Sequence, residues 1–165
     1  GLMQYAPSIV ANAFLWKHKD HSLSHMKLQK LVFFVHAWGL AFHGLGGSPL
    51  SEKPKAWQHG PVFQTLYHQL KHNGSNPVSE YLKEIDPTTG RMVALVPANE
   101  DERFWTLFDR VWQRYGGMSA ADLSRLTHER GGPWERVRVG QYGSDMPDDA
   151  IRAFYASKLT AAQPQ

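Results

Sequence analysis

Apolar residues crowd the stretch from Met26 to Phe42. Met26, Leu28, Leu31, Phe33, Phe34, Val35, Trp38, Leu40 and Phe42 point to several sides of one helix. A helix that is apolar over most of its circumference sits inside the fold, with neighbours on several sides. Ser24 can cap it, and the run Gly44-Leu45-Gly46-Gly47 ends it, because glycine tolerates the left-handed cap conformation. The pattern therefore predicts a central helix from His25 to His43. At about 100° per residue, His25, Gln29, His36 and His43 fall on one narrow stripe with Gly39 beside it, and Lys27 and Lys30 lie on the opposite side of the first turn. That stripe reads first as the solvent-facing edge of a mostly buried helix, or as histidines satisfied by backbone carbonyls. The second reading is a polar line along a groove that receives a partner.

Around this helix the pattern places smaller elements. Ser8 can cap a first helix to about Lys19, with Ile9, Val10, Ala13 and Phe14 on its apolar side. Ala56-Trp57-Gln58 reads as a short extended piece. Pro61 suits the first position of a third helix, with Val62, Leu66 and Leu70 as its core stripe. Tyr81–Ile85 and Met92–Val96 flank turn residues 86–90 and suggest a small β-hairpin, although residues 80–84 read equally well as helix. Asn99 with the acids Glu100, Asp101 and Glu102 starts a helix through Phe104, Leu107, Phe108, Val111, Trp112 and Tyr115, which Gly116-Gly117 stops. Ser119 to Asp122 forms a capping box with Asp in the usual Glu position, opening a short helix to about Glu129. Pro133 starts another turn. Pro147 opens a last helix with Ile151, Phe154, Tyr155 and Leu159 as its stripe. The fold class is mainly α: one compact helical domain with a small β-hairpin inserted midway.

Composition narrows the functional classes. The chain has 165 residues, 42% hydrophobic and 12% aromatic, against 20% charged, which describes a folded globule. Each of the six Trp brings a large apolar area and an indole N–H that needs a partner when buried. Trp38, Trp57, Trp105, Trp112 and Trp134 read as core residues first, and as interface anchors second. The formal charge is +3 and the basic residues are spread out, with a loose group at Arg125, Arg130, Arg136 and Arg138. A dedicated nucleic-acid binder concentrates such residues on one face, so nucleic acid is not the expected partner. There are no cysteines, which excludes disulfides and thiolate metal sites. No apolar run is long enough to span a bilayer, and no secretory signal is visible, so a membrane role is not expected. Gly1 and Leu2, ahead of Met3, read as a tag remnant.

Histidine is the residue type with most chemical potential, at nine copies. His21/His25 and His68/His72 have the i,i+4 spacing that can chelate zinc, but neither pair carries a protease-type Glu, and a structural site needs four ligands. His59, before Gly60-Pro61, reads as a histidine at the mouth of a turn near a helix N-terminus. That place suits an anion or a general base. His128 and Glu129 are adjacent and diverge on a helix. Catalysis at His59 or His128 would also need an orienting partner and an oxyanion hole, and no nucleophile is fixed beside either.

Four blocks carry a likeness to a known family. Leu28-Gln29-Lys30-Leu31-Val32-Phe33-Phe34 with Ala37-Trp38 is the first. Ala56-Trp57-Gln58-His59-Gly60-Pro61-Val62 with Leu66-Tyr67 is the second. Val111-Trp112 to Tyr115-Gly116 with Ser119-Ala120 and Leu123-Ser124 is the third, and Leu126-Thr127-His128 with Pro133-Trp134 is the fourth. In this order they resemble the Panacea domain family of SocA-like antitoxins and GepA-like phage-associated proteins, over about Ser8 to Tyr155. Phe34-Val35 stands where the family usually has an aromatic followed by Ala. The resemblance implies that residues 3–160 form one such domain, in a small cytosolic bacterial or prophage protein without a cofactor and without enzymatic activity. It implies an antitoxin whose partner is a cognate protein toxin encoded next to it. Delivery of a bound partner to a cytosolic protease is the alternative, and a hydrolase-like or ligand-binding site at His59/His128 is the other. The residues to inspect first as partner contacts are Lys30, Trp57, His59, Tyr67, His128 and Trp134. The plain counter-reading is that they maintain the fold.

Overall fold

A computed structural model describes residues 3–42, 47–140 and 143–161. Its elements in chain order are α1 (Pro7–His18), α2 (His25–Ala41), β1 (Lys55–Trp57), β2 (Gly60–Val62), α3 (Gln64–Leu70), β3 (Lys83–Ile85), β4 (Met92–Ala94), α4 (Glu102–Tyr115), α5 (Ala120–Thr127), α6 (Pro133–Gly140) and α7 (Asp148–Ala161). Short 3-10 turns follow α1 and α3. Among the described residues the fold is mainly α, with two small antiparallel ribbons, β1–β2 and β3–β4.

Helix α2 is the hub. It packs against α1, α3, α4, α5, α7 and β2, and Leu28, Leu31, Val32 and Val35 on it are fully enclosed. The Ser24 hydroxyl caps its start by accepting from the Lys27 N–H. The last turn closes at Phe42 N–H to Trp38 O. His43 and the Gly44–Gly46 stop lie outside the described residues. The aromatic density is used in stacking. Phe34 lies on Tyr115 at 3.9 Å between ring centroids, and the Trp38 indole donates to the Tyr115 hydroxyl at 2.7 Å. Burial raises the pKa values of both Tyr115 and Tyr155. Gly39 lets the segment after α2 come close, since a Cβ there would stand 2.7 Å from Pro49 Cδ.

Several local expectations change. Ser8 lies inside α1 and donates to Glu84 Oε1 at 2.5 Å. The helix starts instead on Pro7, behind Ala6. Pro61 does not begin a helix: Gly60-Pro61-Val62 is strand β2, and α3 starts at Gln64. The ribbon accommodates proline because Pro61 faces Ala56, whose own N–H and carbonyl turn the other way, to Ser144 O and Gly143 N–H. No ladder bond is asked of the missing proline N–H. The midway hairpin is present as β3–β4, with Ile85 opposite Met92. Asn12 on α1 ties it down, accepting from the Leu82 N–H and donating to the Leu82 and Leu95 carbonyls, each at 2.8 Å.

The histidine stripe also differs from its first reading. Gln29 and His36 are each only 2% exposed, so this side of α2 is interior rather than a solvent-facing edge.

Candidate functional site

The β1–β2 ribbon, α3 and the first turns of α2 enclose a cleft of about 600 Å³. Strand β1 ends on Trp57, Gln58 and His59 make the two-residue turn, and Gly60 opens β2 opposite Trp57. Gly60 has φ +116°, a region that essentially only glycine occupies. A Cβ there would meet Thr127 Oγ1 at 2.8 Å and Lys30 Cε and Nζ at 3.1 Å. The glycine is thus what allows the turn, α5 and the lysine to meet.

Lys30 reaches from α2 to this point. It is 1% exposed, and its ammonium donates to the Pro61 carbonyl at 3.0 Å. No carboxylate lies within ion-pair distance of it among the described residues. Burial without a counter-ion pushes its pKa down from 10.5 to about 7. One residue back, the Gln29 side chain accepts from the Phe63 N–H at 2.9 Å and donates to the Phe63 carbonyl at 3.2 Å, which fixes the entry to α3. The same amide nitrogen is 3.2 Å from His25 Nε2. Burial, with the Lys30 charge second, pushes His25 down to about 4, so this imidazole is neutral at physiological pH.

Four of the six residues singled out in the sequence meet at this cleft: Lys30, Trp57, His59 and Tyr67. Trp57 and Tyr67 touch edge to face at 4.7 Å, and Tyr67 lies 5.5 Å from the His25 ring. His59 is exposed on the turn, and its carbonyl accepts from Ser124 Oγ at 2.7 Å. It is therefore held by α5 at a hairpin tip and not at the start of α3. The other two, His128 and Trp134, do not line the cleft. They stack on each other at 3.9 Å, and the Trp134 indole donates to the Trp57 carbonyl at 2.7 Å. His128 Nε2 is buried without a hydrogen-bond partner among the described residues. Burial, then the Lys30 charge, lowers its pKa. The side chains lining the cleft include histidine, lysine, aromatics and amides but no Asp or Glu among the described residues.

One arrangement escapes sequence reading. His36 on α2 sits between Ser48 Oγ (2.5 Å from Nδ1) and Asp148 Oδ1 (3.2 Å from Nε2). The residue types are those of a hydrolytic triad, but Ser48 is 5% exposed and its hydroxyl also accepts from the Leu50 N–H at 3.0 Å. The trio joins α2, the following loop and the start of α7. Its members are 12 and 112 residues apart in sequence, so no local motif announces it. Among the described residues, no group of three or more His, Asp or Glu is placed to share a metal ion. No helix there is long and apolar enough to cross a membrane.

Residues 28–135, which hold the cleft ribbon, the Lys30 turn and the His128–Trp134 stack, match the model of the family described as antitoxin SocA-like, Panacea domain. This chain belongs to the SocA-like Panacea family. A relative among proteins of known role is Antitoxin SocA of Caulobacter vibrioides (strain NA1000 / CB15N). It is 31% identical over 134 residues, covering 79% of this chain and 69% of that protein. No solved structure matches the chain. The Panacea match begins inside α2 and ends in α6, so it encloses every residue named around the cleft except Ser24, His25 and Met26.

Proposed function

We propose that this protein is an antitoxin that silences a cognate protein toxin by direct, non-catalytic binding in the cytoplasm. Family membership supports the antitoxin role. The observation that carries the non-catalytic reading is the state of the reactive groups around the cleft. Ser124 Oγ donates to the His59 carbonyl, Thr127 Oγ1 donates to the Ser124 carbonyl, Lys30 donates to the Pro61 carbonyl, and His128 is stacked on Trp134. Ser124 and Lys30 are occupied in holding the ribbon against α5 and α2, Thr127 bonds within α5, and none of the four is paired as nucleophile with base. What remains free is shape: an open cleft walled by Trp57, Tyr67 and Val62, with His59 at its lip. Neutralisation then means covering the toxin's working surface over roughly 800 Å² per partner, the size of a standard stable interface.

Co-expression with each immediate genomic neighbour, scored by growth and followed by pull-down, tests this. A neighbour that is toxic alone, harmless together and co-purified is the expected result. If no neighbour is both toxic and bound, the reading fails. Toxin that disappears only when a host protease is present would replace occlusion by delivery for degradation.

A further inference from the structure

A buried charge is normally paired or neutralised, because leaving it alone in a low-dielectric interior is expensive. Lys30 has no acid partner among the described residues, and burial holds it near neutrality instead. Among the described residues it makes one hydrogen bond, to a neutral carbonyl, although an ammonium has three donors. It borders a cleft without a single acid among its described lining residues, beside His25 and His59. The rest of the wall is largely aromatic and aliphatic, from Trp57, Tyr67, Val62 and Met26. About 600 Å³ is the volume of a pocket that takes a ligand-sized group, enough for a short stretch of side chains. Met26 and the turn residues Gln58 and His59, which stand at its mouth, are exposed and unconstrained by core packing.

We propose that the cleft receives an acidic segment of the protein partner, and that one glutamate side chain of that segment becomes the counter-ion of Lys30. This rests on the reading of the protein as a binder of a protein toxin. Charge complementarity sets the occupant: the cleft offers cationic and neutral groups and no acid. A glutamate matches it better than a bare inorganic anion, since its methylene stem lies along the Trp57 and Tyr67 faces while its carboxylate meets the ammonium. The side chains at the mouth part to admit it, as Lys30 itself is almost fully covered in the free protein. Pairing restores full charge to a lysine that burial holds near neutrality, a gain open to an anion and not to the neutral amide of a glutamine.

The test uses three short probes on the full chain: an acetylated, amidated Gly-Leu-Glu-Leu-Gly peptide, its Gln counterpart, and the Gln peptide with a free C-terminal carboxylate. Binding is followed by NMR at the Trp57 indole N–H and the Gly60 amide, in wild type and in Lys30→Met. The expected result is at least fivefold tighter binding of the Glu peptide than the Gln peptide, lost in Lys30→Met while the Gln peptide is unaffected. Equal binding of Glu and Gln peptides, no shift with any probe at about 10 mM, or selectivity that survives Lys30→Met overturns the proposal. Preference for the free C-terminus also overturns it, in favour of a chain-end site. Lys30→Gln is a second neutral variant, should Lys30→Met alter the fold. If growth rescue fails yet glutamate selectivity holds, the antitoxin reading falls and the carboxylate site stands. The reverse outcome removes only the site.

Discussion

Replacing Lys30 by Met removes a charge from a place where water barely reaches, and its effect on stability depends on pH in a calculable way. The side chains have similar length, so the space under Gly60 stays filled. The loss is the hydrogen bond to the Pro61 carbonyl, a buried acceptor left without its donor, about 1–3 kcal/mol. The gain is release from burying an unpaired ammonium. In the folded state Lys30 gives up its proton near pH 7, whereas in the unfolded chain it keeps it to about 10.5. Between those values the unfolded state binds more protons, so wild-type stability rises with pH. Below about pH 7 both states are protonated and the whole burial cost is present. The variant should therefore be more stable than wild type at about pH 6, and its advantage should shrink by about 2–3 kcal/mol on going to about pH 9. Urea unfolding followed by tryptophan fluorescence at several pH values measures this directly. The difference between the two proteins isolates Lys30 from other titrating groups. A stability difference that stays constant from about pH 6 to about pH 9 would refute the claim that burial shifts this lysine. A variant markedly less stable at low pH would show that the ammonium contributes more than its burial costs.

Other perturbations separate the scaffold from the surface. Gly60→Ala forces a side chain into a φ of +116° and against Thr127 and Lys30; it should cost about 2 kcal/mol or more in thermal or urea unfolding, and an unchanged midpoint would contradict the turn geometry. Gln29→Leu strands the buried N–H and carbonyl of Phe63 and should cost about 2–4 kcal/mol by the same assay. His59→Ala removes an exposed side chain, so unfolding should move by less than about 0.5 kcal/mol while toxin rescue in the growth assay weakens; full rescue would take His59 out of the interface. The His36 hydrogen bond holds the Asp148 carboxyl below its usual range, so Asp148 adds stability above its unfolded pKa and loses it as pH falls through the lower folded value. Asp148→Asn should flatten the acid limb of the unfolding profile below about pH 4, and an unchanged limb would remove His36 as the cause.

Periodicity located the elements whose signals are local. The caps of α2 and α5 at Ser24 and Ser119 accept the N–H bonds their side chains suggest, and within the acidic start of α4 it is Asp101 that caps. The enclosure of α2 follows from its all-round apolar surface. Signals that depend on tertiary partners were less legible. Gly-Pro before an apolar run fits both a helix entry and a strand, and only the pairing of Lys55 with Val62 and of Trp57 with Gly60 decides between them. The polar stripe on α2 suggested an edge because polarity usually marks solvent. Here Gln29 satisfies a backbone pair on α3, and His36 bridges Ser48 and Asp148. Lys30 stood out in the sequence only through a family block. Helical phase put it away from the histidine stripe but gave no sign that β2 would close over it. The meeting of Trp57 and Tyr67 at one cleft depends on the two-residue turn bringing β2 back into α3, which no pattern within a single element records.

The outer edge of β1 has a consequence for when the binding cleft can exist. Ala56 bonds to Ser144 and Gly143, and Met146 N–H bonds to the Pro54 carbonyl, so a late segment of the chain covers a strand made early. At ribosomal rates of roughly 5–20 residues per second, the 88 residues from Ala56 to Ser144 take roughly 4–18 s to appear. Through that interval the nascent ribbon has an open flank, and α7, which packs on α2, has not been synthesised. Binding competence should arrive abruptly near the end of translation. A ribosome stalled before residue 143 should present Trp57 and His59 without a finished site to hold them.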